Sequence, residues 1–216
     1  MAVRAAGRAR STPVKQPSDL DLDSIAAAAM RVADERGAAG FTMRAVAEEL
    51  GVTAMALYHH VPDKAGLVAL IVDASIAEHP LPPPTGVWRE DLWELTLWMR
   101  RSMLDHPAVG KLRQAYRVWT PSIFPMTERW LSVWQQSGLP LDAAVTAAVT
   151  SSLAVTGMVE QELVFAEMDW PVDDKHLAML PNARLLFSAQ RDSAADFELL
   201  VRALIDGLYA QLRGLR

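Results

Sequence analysis

The chain has 216 residues, no cysteine and a formal net charge of −5. The lack of cysteine excludes disulfide bonds, thiolate metal sites and cysteine nucleophiles, and it is compatible with a reducing cytoplasm. Hydrophobic residues make up 51% of the chain, enough for a sizeable core in one two-part domain or two small ones.

The amino-terminal end predicts a tail followed by a helix. Residues 1–16 hold four basic and no acidic side chains and lack the apolar stretch of a secretory signal, so residues 1–18 are predicted to be disordered. Residues 22–36 predict an amphipathic helix, because Ile25, Ala29, Val32 and Ala33 recur at helical spacing. Gly37 is placed to end that helix.

The segment from Thr42 to Lys64 predicts two short helices, near 43–50 and 54–60, with a corner at Gly51. Thr53 is well placed to cap the second helix. A small residue, a glycine and an apolar anchor follow at intervals of four and six residues, as Ala47, Gly51 and Leu57. A helix-turn-helix needs this pattern, and its second helix can enter the DNA major groove.

The remainder of the chain predicts further helices and no strand. A helix from Asp63 to about Ala77 is stopped by a proline run at 80–84, and residues 167–181 predict a loop with at most one turn. Other helices are predicted at 88–105, 108–116, 127–137, 141–166 and 193–213. The uncharged stretch 143–159 is near the lower length limit of a membrane span. Its many Ser and Thr residues favour a core helix or subunit interface instead.

The segment LGVTAMALYHHVPDKAGLVALIVD resembles the signature of the TetR family of transcriptional repressors. The matching residues are the Leu-Tyr-x-His step at Leu57, Tyr58 and His60, the following Lys64, and the opening Thr-x-Arg at 42–44. More weakly, VWREDLWELTLWMRRSMLDHPAVGKL and QQSGLPLDAAVTAAV resemble the tetracycline-repressor type. The resemblance implies an all-α fold with an N-terminal three-helix DNA-binding head and a C-terminal helical ligand-binding and dimerisation domain.

That resemblance also implies a domain plan. We expect a disordered basic arm at 1–18, a helix-turn-helix domain at 19–65, a connecting helix and proline-rich joint at 66–84, and a ligand-binding and dimerisation domain at 85–216. Helices 141–166 and 193–213 would form a four-helix bundle between two copies.

Carried over position by position, the family pattern predicts a set of DNA-contacting residues. Arg44 suits guanine, whereas Ala54 and Met55 offer only apolar contact, for instance to a thymine methyl. His59 and His60 are adjacent and point about 100° apart on a helix, so they do not form a metal-chelating pair. The full predicted set is Thr42, Arg44, Thr53, Ala54, Met55, Tyr58, His59, His60 and Lys64.

Charge limits how this head would bind DNA. Residues 17–64 hold four basic and eight acidic side chains. Binding must therefore rely on a few placed cations, and we expect a modest salt dependence. A second interpretation of the basic arm is that it contacts phosphates or a minor groove.

All seven tryptophans follow residue 87, which predicts an aromatic ligand cavity in the second half, with ordinary core packing as the alternative for any one of them. The predicted lining is Trp98, Met103, Gln114, Trp119, Trp134, Thr156 and Glu160. The histidine arrangement that binds a magnesium–tetracycline chelate in the resembling subgroup is not found. His79 is near one expected place, but His106 is not near the other.

These observations predict a cytoplasmic, ligand-responsive repressor that binds a palindromic double-stranded DNA operator as a homodimer and is released by a small, largely apolar or aromatic effector. No cofactor, metal, membrane contact or catalytic residue is expected. The rival is a helical ligand carrier or small enzyme that does not use the head, with Asp173, Asp174 and His176, or Glu160 and Glu162, as its site. No nucleophile elbow, P-loop or zinc signature supports catalysis. An activator or a ligand-independent repressor would share the same fold.

Overall fold

The computed structural model describes residues 20–167, 178–188 and 192–214. Within these ranges the chain is helical and contains no strand, as predicted. The α-helices are α1 Leu22–Gly40, α2 Met43–Leu50, α3 Ala54–Tyr58, α4 Lys64–Ala77, α5 Trp88–Asp105, α6 Pro107–Tyr116, α7 Phe124–Gln136, α8 Leu141–Glu167, α9 Pro181–Ser188 and α10 Ser193–Arg213. The predicted basic arm, and Asp173, Asp174 and His176, lie outside the described residues.

The chain divides into two compact units. The first unit contains the described residues up to Ala74 together with Ala108–Trp119, and the second contains Ser75–Pro107 and the described residues from Thr120 onward. Helix α6 thus belongs mainly to the first unit, although the chain on both sides of it belongs to the second.

Helix α1 begins and ends at local signals that the sequence predicts. The Asp21 side chain accepts a hydrogen bond from the Ser24 N–H at 2.7 Å, and the Ser24 hydroxyl caps the Asp21 backbone in return. Gly37, where the sequence predicted the helix end, adopts φ 64° and kinks the helix, and the helix then continues to Gly40. The buried face carries Ile25 and Val32, so α1 is amphipathic as expected.

Two helical segments begin where the sequence predicted no helix start, and both begin at a proline. Pro121–Ile123 forms a 3-10 turn that leads into α7 three residues earlier than predicted. Pro181 is the first residue of α9, within or just after a segment predicted to be a loop. Proline has no N–H to lose at the first helical position, so it starts helices as readily as it stops them.

The core of the second unit lies between α5, α7, α8 and α10. Trp134 is fully buried and Trp130 is 3% exposed. Their indole N–H groups both donate to the Ser151 hydroxyl, at 3.0 and 2.9 Å, and that hydroxyl donates to the Ala147 carbonyl at 2.6 Å. One donor and two acceptor positions of a single hydroxyl are thereby all used, and the core contains both indoles without an unpaired N–H.

Helix α8 has one face in this core and one face in solvent. Its buried side carries small residues such as Ala144, Ala147 and Ala148, which confirms the prediction of a core helix. Leu141–Ala166 has the length and apolar composition of a membrane span, but a third of its most apolar window is buried within the chain. Its buried residues Ala144, Ala147, Ala148, Val155 and Val159 belong to the core of the second unit.

The buried carboxylate of Asp91 contacts two parts of the second unit, the loop that precedes α5 and the helix α7. Asp91 accepts hydrogen bonds from Thr85, and an Arg129 guanidinium nitrogen lies 4.0 Å from its second oxygen. Burial opposes ionisation and is the largest single influence on this group. The hydrogen bonds from Thr85 and Gly86 and the charge of Arg129 outweigh burial together, so the pKa of Asp91 is lowered.

Replacing Ser151 by alanine should destabilise the protein by about 2–4 kcal/mol, because two buried indole N–H groups would lose their acceptor. Ser152→Ala is the matched control, since Ser152 is partly exposed and its hydroxyl bonds only to a carbonyl of its own helix. Urea unfolding at one protein concentration measures both. A Ser151→Ala variant as stable as Ser152→Ala would show that the two indoles do not need this hydroxyl.

Asp91→Asn should reduce the free energy of unfolding at pH 7 by about 1–3 kcal/mol, because it removes the charge that faces Arg129. A carboxyl group whose pKa is lowered by folding stabilises the protein at pH values above its unfolded-state pKa of about 3.9. This contribution is lost as the pH falls through the lower pKa of the folded state. The stability difference between the two proteins should therefore shrink below about pH 4. A difference that stays constant or grows under acid conditions would contradict this assignment.

Candidate nucleic-acid interface

The helix-turn-helix predicted from Thr42 to Lys64 is present. Thr42 caps α2, and its hydroxyl accepts a hydrogen bond from the Ala45 N–H at 3.0 Å. Thr53 caps α3 in the same way through the Ala56 N–H at 3.2 Å. Both caps satisfy amides that a helix start leaves unpaired.

The corner between α2 and α3 depends on Gly51. This residue adopts φ 70° and ψ 28°, the left-handed conformation that ends a helix. The next amide, of Val52, donates to the Ala47 carbonyl at 2.9 Å and closes the turn. A side chain added at Gly51 would meet no atom within 4 Å, so backbone conformation, and not space, favours glycine here.

Helix α3 is anchored on one side and exposed on the other. Leu57 is fully buried, whereas Met55 is 69% and Tyr58 46% exposed. Ala54 and Ala56 are partly buried, and the helix ends at Tyr58, two residues before the predicted end. His59 and His60 follow as an exposed turn. The exposed face is therefore short, with an apolar centre and a polar margin.

Cations around this surface differ in how strongly they are neutralised. Arg31 and Arg36 form ion pairs with Glu49 and Glu48, at 2.8 and 3.3 Å. Arg44 is exposed, and no ion pair or hydrogen bond of its side chain occurs in the described part of the chain. It lines an open concavity with Ala47, Glu48, Val52 and Ala54. The Arg44 guanidinium is therefore available to an anion or a nucleic-acid base near the start of α3.

Lys64 is the first residue of α4, where the preceding Asp63 accepts a hydrogen bond from the Gly66 N–H at 2.8 Å. The Lys64 ammonium lies 5.7 Å from the ring centroid of Phe41 and 5.1 Å from that of Tyr116. The Tyr116 contact was not predicted. This contact joins the first residue of α4 to the last residue of α6. The two residues are distant in sequence, so no local pattern predicts the contact.

All nine predicted DNA-contacting residues lie in the first unit, on α2, α3, the turn after α3 and the start of α4. The two threonines cap helices, and most of the other seven expose their side chains. Their contacts with DNA stay a prediction.

Five of the seven predicted ligand-lining residues lie in the second unit. Trp98 is 8% exposed and donates its indole N–H to the His79 carbonyl at 2.6 Å, and Trp134 donates to Ser151. Thr156 bonds to the sulfur of Met99, while Met103 and Glu160 are partly buried. Both tryptophans can offer a ligand only their rings, because their N–H groups already have partners.

The other two predicted lining residues, Gln114 and Trp119, lie in the first unit. Gln114 is exposed, and Trp119 is 70% exposed with the Arg113 guanidinium 5.8 Å from its ring centroid. Trp119 thus has a different environment from the buried Trp98 and Trp134. The lining role of all seven residues stays a prediction.

Two polar clusters of the second unit were not predicted. Arg100 donates to both carboxylate oxygens of Glu162 and lies 5.1 Å from the Phe197 ring centroid. This pairing shows that Glu162, half of one proposed catalytic pair, is engaged by an arginine. His79 lies 2.8 Å from Asp105 and His106 lies 3.0 Å from Glu78. Among the described residues, no group of three or more His, Cys, Asp or Glu side chains is arranged to hold a metal ion.

Sequence models of known families match both units of this arrangement. The model for bacterial regulatory proteins of the tetR family matches residues 25–71, and the model for the tetracyclin repressor-like C-terminal domain matches residues 79–212. The chain belongs to the TetR family. The all-α fold and the helix-turn-helix head inferred from the sequence are confirmed.

Individual TetR-family proteins agree with this assignment. The HTH-type transcriptional repressor DrrR1 of Streptomyces coeruleorubidus is 30% identical over 152 residues, which cover 69% of this chain and only 56% of DrrR1. The Tetracycline repressor protein class E of Escherichia coli is 28% identical over 200 residues, covering 89% of this chain and 92% of the repressor. The crystal structure of apo ActR from Streptomyces coelicolor superposes with a TM-score of 0.72 at 25% identity, over 91% of this chain and 98% of ActR.

Gly51→Ala should destabilise the first unit by about 1–2 kcal/mol, the cost of a left-handed conformation for a residue with a Cβ atom. Gly51→Asn is the matched control and should cost less, because asparagine tolerates this conformation. Thermal unfolding of the three proteins measures the order of stability. Equal stability of the alanine and asparagine variants would show that the corner has relaxed away from its left-handed turn.

Proposed function

We propose that this TetR-family protein is a ligand-responsive transcriptional repressor, and that it binds a palindromic operator as a homodimer. The observation that carries the proposal is the Gly51 corner, which anchors α3 through Leu57 and leaves Met55 and Tyr58 exposed. DrrR1 is named a transcriptional repressor, which supports the proposed repression. ActR has been solved in complex with (S)-DNPA, which supports the proposed response to a ligand.

In the proposed complex, α3 enters the major groove. Arg44 reads a guanine edge, and Ala54 and Met55 contact apolar groups such as a thymine methyl. Phosphates are contacted by Lys64, Tyr58, His59, His60 and the threonine-capped helix starts at Thr42 and Thr53. Since the glutamates of α2 already neutralise Arg31 and Arg36, few cations contribute and the salt dependence is modest.

The outer faces of α8 and α10 support the proposed homodimer. Val145, Val149 and Leu153 recur every four residues on α8 and are 41%, 53% and 68% exposed. On α10, Leu199 is 70% exposed, and the small residues Ala203, Gly207 and Ala210 are also exposed. Two apolar helices with small side chains can pack closely against the same helices of a second copy. Two heads then reach half-sites about one helical turn of DNA apart.

The proposed effector is small and largely apolar or aromatic, and it binds within the domain proposed for residues 85–216. The second unit offers the rings of Trp98 and Trp134 with Met103, Thr156 and Glu160. A magnesium–tetracycline chelate is not the proposed effector, because His79 has one ring nitrogen on the Ser75 carbonyl and the other on Asp105. Both nitrogens that could bind a metal are engaged.

Repression would be relieved by a shift between two conformations. An effector that binds more tightly to a conformation with an unsuitable head separation lowers the affinity of the protein for the operator. By linkage, the operator lowers the affinity for the effector by the same factor. No cofactor or catalytic step enters this cycle, and the protein would act in the cytoplasm.

The operator-binding surface can be tested with duplexes that the protein selects from a randomised library. Arg44→Ala should cost about 1–3 kcal/mol of binding free energy and relax the preference at one base pair per half-site. Lys64→Gln should weaken all duplexes uniformly and lower the salt slope by about 0.9 per lost phosphate contact.

The triple replacement of Arg44, Tyr58 and Lys64 by alanine should abolish selective binding in gel-shift titrations. Ala27→Gln, on an exposed position of α1, is the control. Failure of the wild-type protein to select any duplex at low salt would sink the proposal and favour a helical ligand carrier.

The dimer surface can be tested with Leu153→Asp, which places a charge in the centre of the exposed α8 face. The variant should have the mass of one chain by light scattering, whereas the wild type should have the mass of two, because an unpaired charge opposes burial at an interface. Ala27→Asp adds the same charge at an exposed site in the first unit and should remain dimeric. A Leu153→Asp dimer would place the interface on another surface.

A further inference from the structure

A residue from outside the three-helix head contacts one of the proposed phosphate-binding side chains. Tyr116 is the last residue of α6, in the segment Ala108–Trp119 that belongs to the first unit. Its ring centroid lies 5.1 Å from the Lys64 ammonium, and Phe41 lies 5.7 Å from the same nitrogen. Both distances are in the range of a cation–π interaction.

The two rings differ in how firmly the surrounding structure holds them. Phe41 is fully buried between α1 and α2, while Tyr116 is 40% exposed at a helix end. The α6 end itself is well defined, because the Val118 amide donates to the Arg113 carbonyl at 3.0 Å. Arg117 adopts φ 53° to close that turn, and Leu112, 2% exposed, anchors the helix. Tyr116 is therefore placed by the backbone, and not by the lysine.

Lys64 lies beside aromatic rings, and its ammonium forms no ion pair within the described residues. Arg31 and Arg36 in the same unit are paired with glutamates, whose charge would compete with a DNA phosphate. Phe41 and Tyr116 lie beside the Lys64 ammonium, and one oxygen of the preceding Asp63 carboxylate accepts a hydrogen bond from the Gly66 amide. A ring attracts the ammonium and leaves its full charge and its N–H donors available.

We propose that Tyr116 is a positioning residue for DNA binding, which holds the Lys64 ammonium in place for a phosphate of the operator. The inference rests on the proposed function and deepens it. A free lysine side chain loses much rotamer freedom when it binds a phosphate, and this loss opposes binding. A ring that restrains the side chain beforehand reduces the loss, so Tyr116 raises operator affinity without touching DNA.

The test is a double-mutant cycle on the duplex that the wild-type protein selects from a randomised library. A cation–π interaction of about 0.5–1 kcal/mol corresponds to about two- to fivefold per head, and two heads square that factor. Tyr116→Leu should therefore weaken binding by about four- to twenty-five-fold. Tyr116→Phe retains the aromatic face and should bind like the wild type. In a Lys64→Gln background, Tyr116→Leu should cause no further loss.

Each contrary outcome has a distinct meaning. If the wild type selects no duplex, the proposed function fails and the inference fails with it. If the wild type binds selectively, the positioning role alone is overturned by any of three results: Lys64→Gln without effect, Tyr116→Leu without effect, or the same Tyr116→Leu loss with and without Lys64. The last result would mean that Tyr116 only stabilises the fold.

A second measurement needs no DNA. In the full-length protein, ring currents should shift the NMR signals of the Lys64 ε-methylene protons upfield in the wild type and in Tyr116→Phe. The signals should move toward their usual position in Tyr116→Leu. Unshifted signals in the wild type would overturn the proposed contact, whatever the binding data show.

Discussion

The shape of the helix-turn-helix surface depends on one backbone conformation, the left-handed turn at Gly51. Helix α3 has five residues, too few to be stable in isolation. It persists because the turn directs it back onto α2, the Thr53 hydroxyl caps its start, and Leu57 is fully buried beneath it. The exposed residues of α3 have defined positions only because these three contacts hold the helix.

The second unit has an all-helical core in which several tryptophans are buried. Their N–H groups are satisfied within the protein, by Ser151 for Trp130 and Trp134 and by the His79 carbonyl for Trp98. Polar contacts to the proposed effector must then come from other side chains. The small residues of α8 permit close packing inside, while a row of valines and leucine on the opposite face remains exposed. One helix thereby serves the core of the chain and the proposed contact with a second copy.

Local signals determined most of the helices. Helix α2 spans 43–50, as predicted, because Thr42 caps its start and Gly51 ends it. Helix α5 spans 88–105, as predicted from its apolar periodicity. Helix α9 was not predicted because Pro181 lies in the segment 167–181 that was predicted to be a loop, although proline suits the first position of a helix. The predicted α3 end was two residues late, since His59 and His60 form a turn that helical periodicity does not reveal.

The sequence by itself determined the fold class, the corner at Gly51, the two threonine caps and the family, because each depends on residues within a few positions of one another. Only the tertiary structure decided which cations are neutralised and which aromatic rings share an environment. Arg44 differs from Arg31 and Arg36 through the glutamates that α2 brings near α1, and Trp119 separates from Trp98 because α6 joins the first unit. The contact of Tyr116 with Lys64 belongs to the same class. Such pairings depend on distances between helices remote in sequence, which no local pattern encodes.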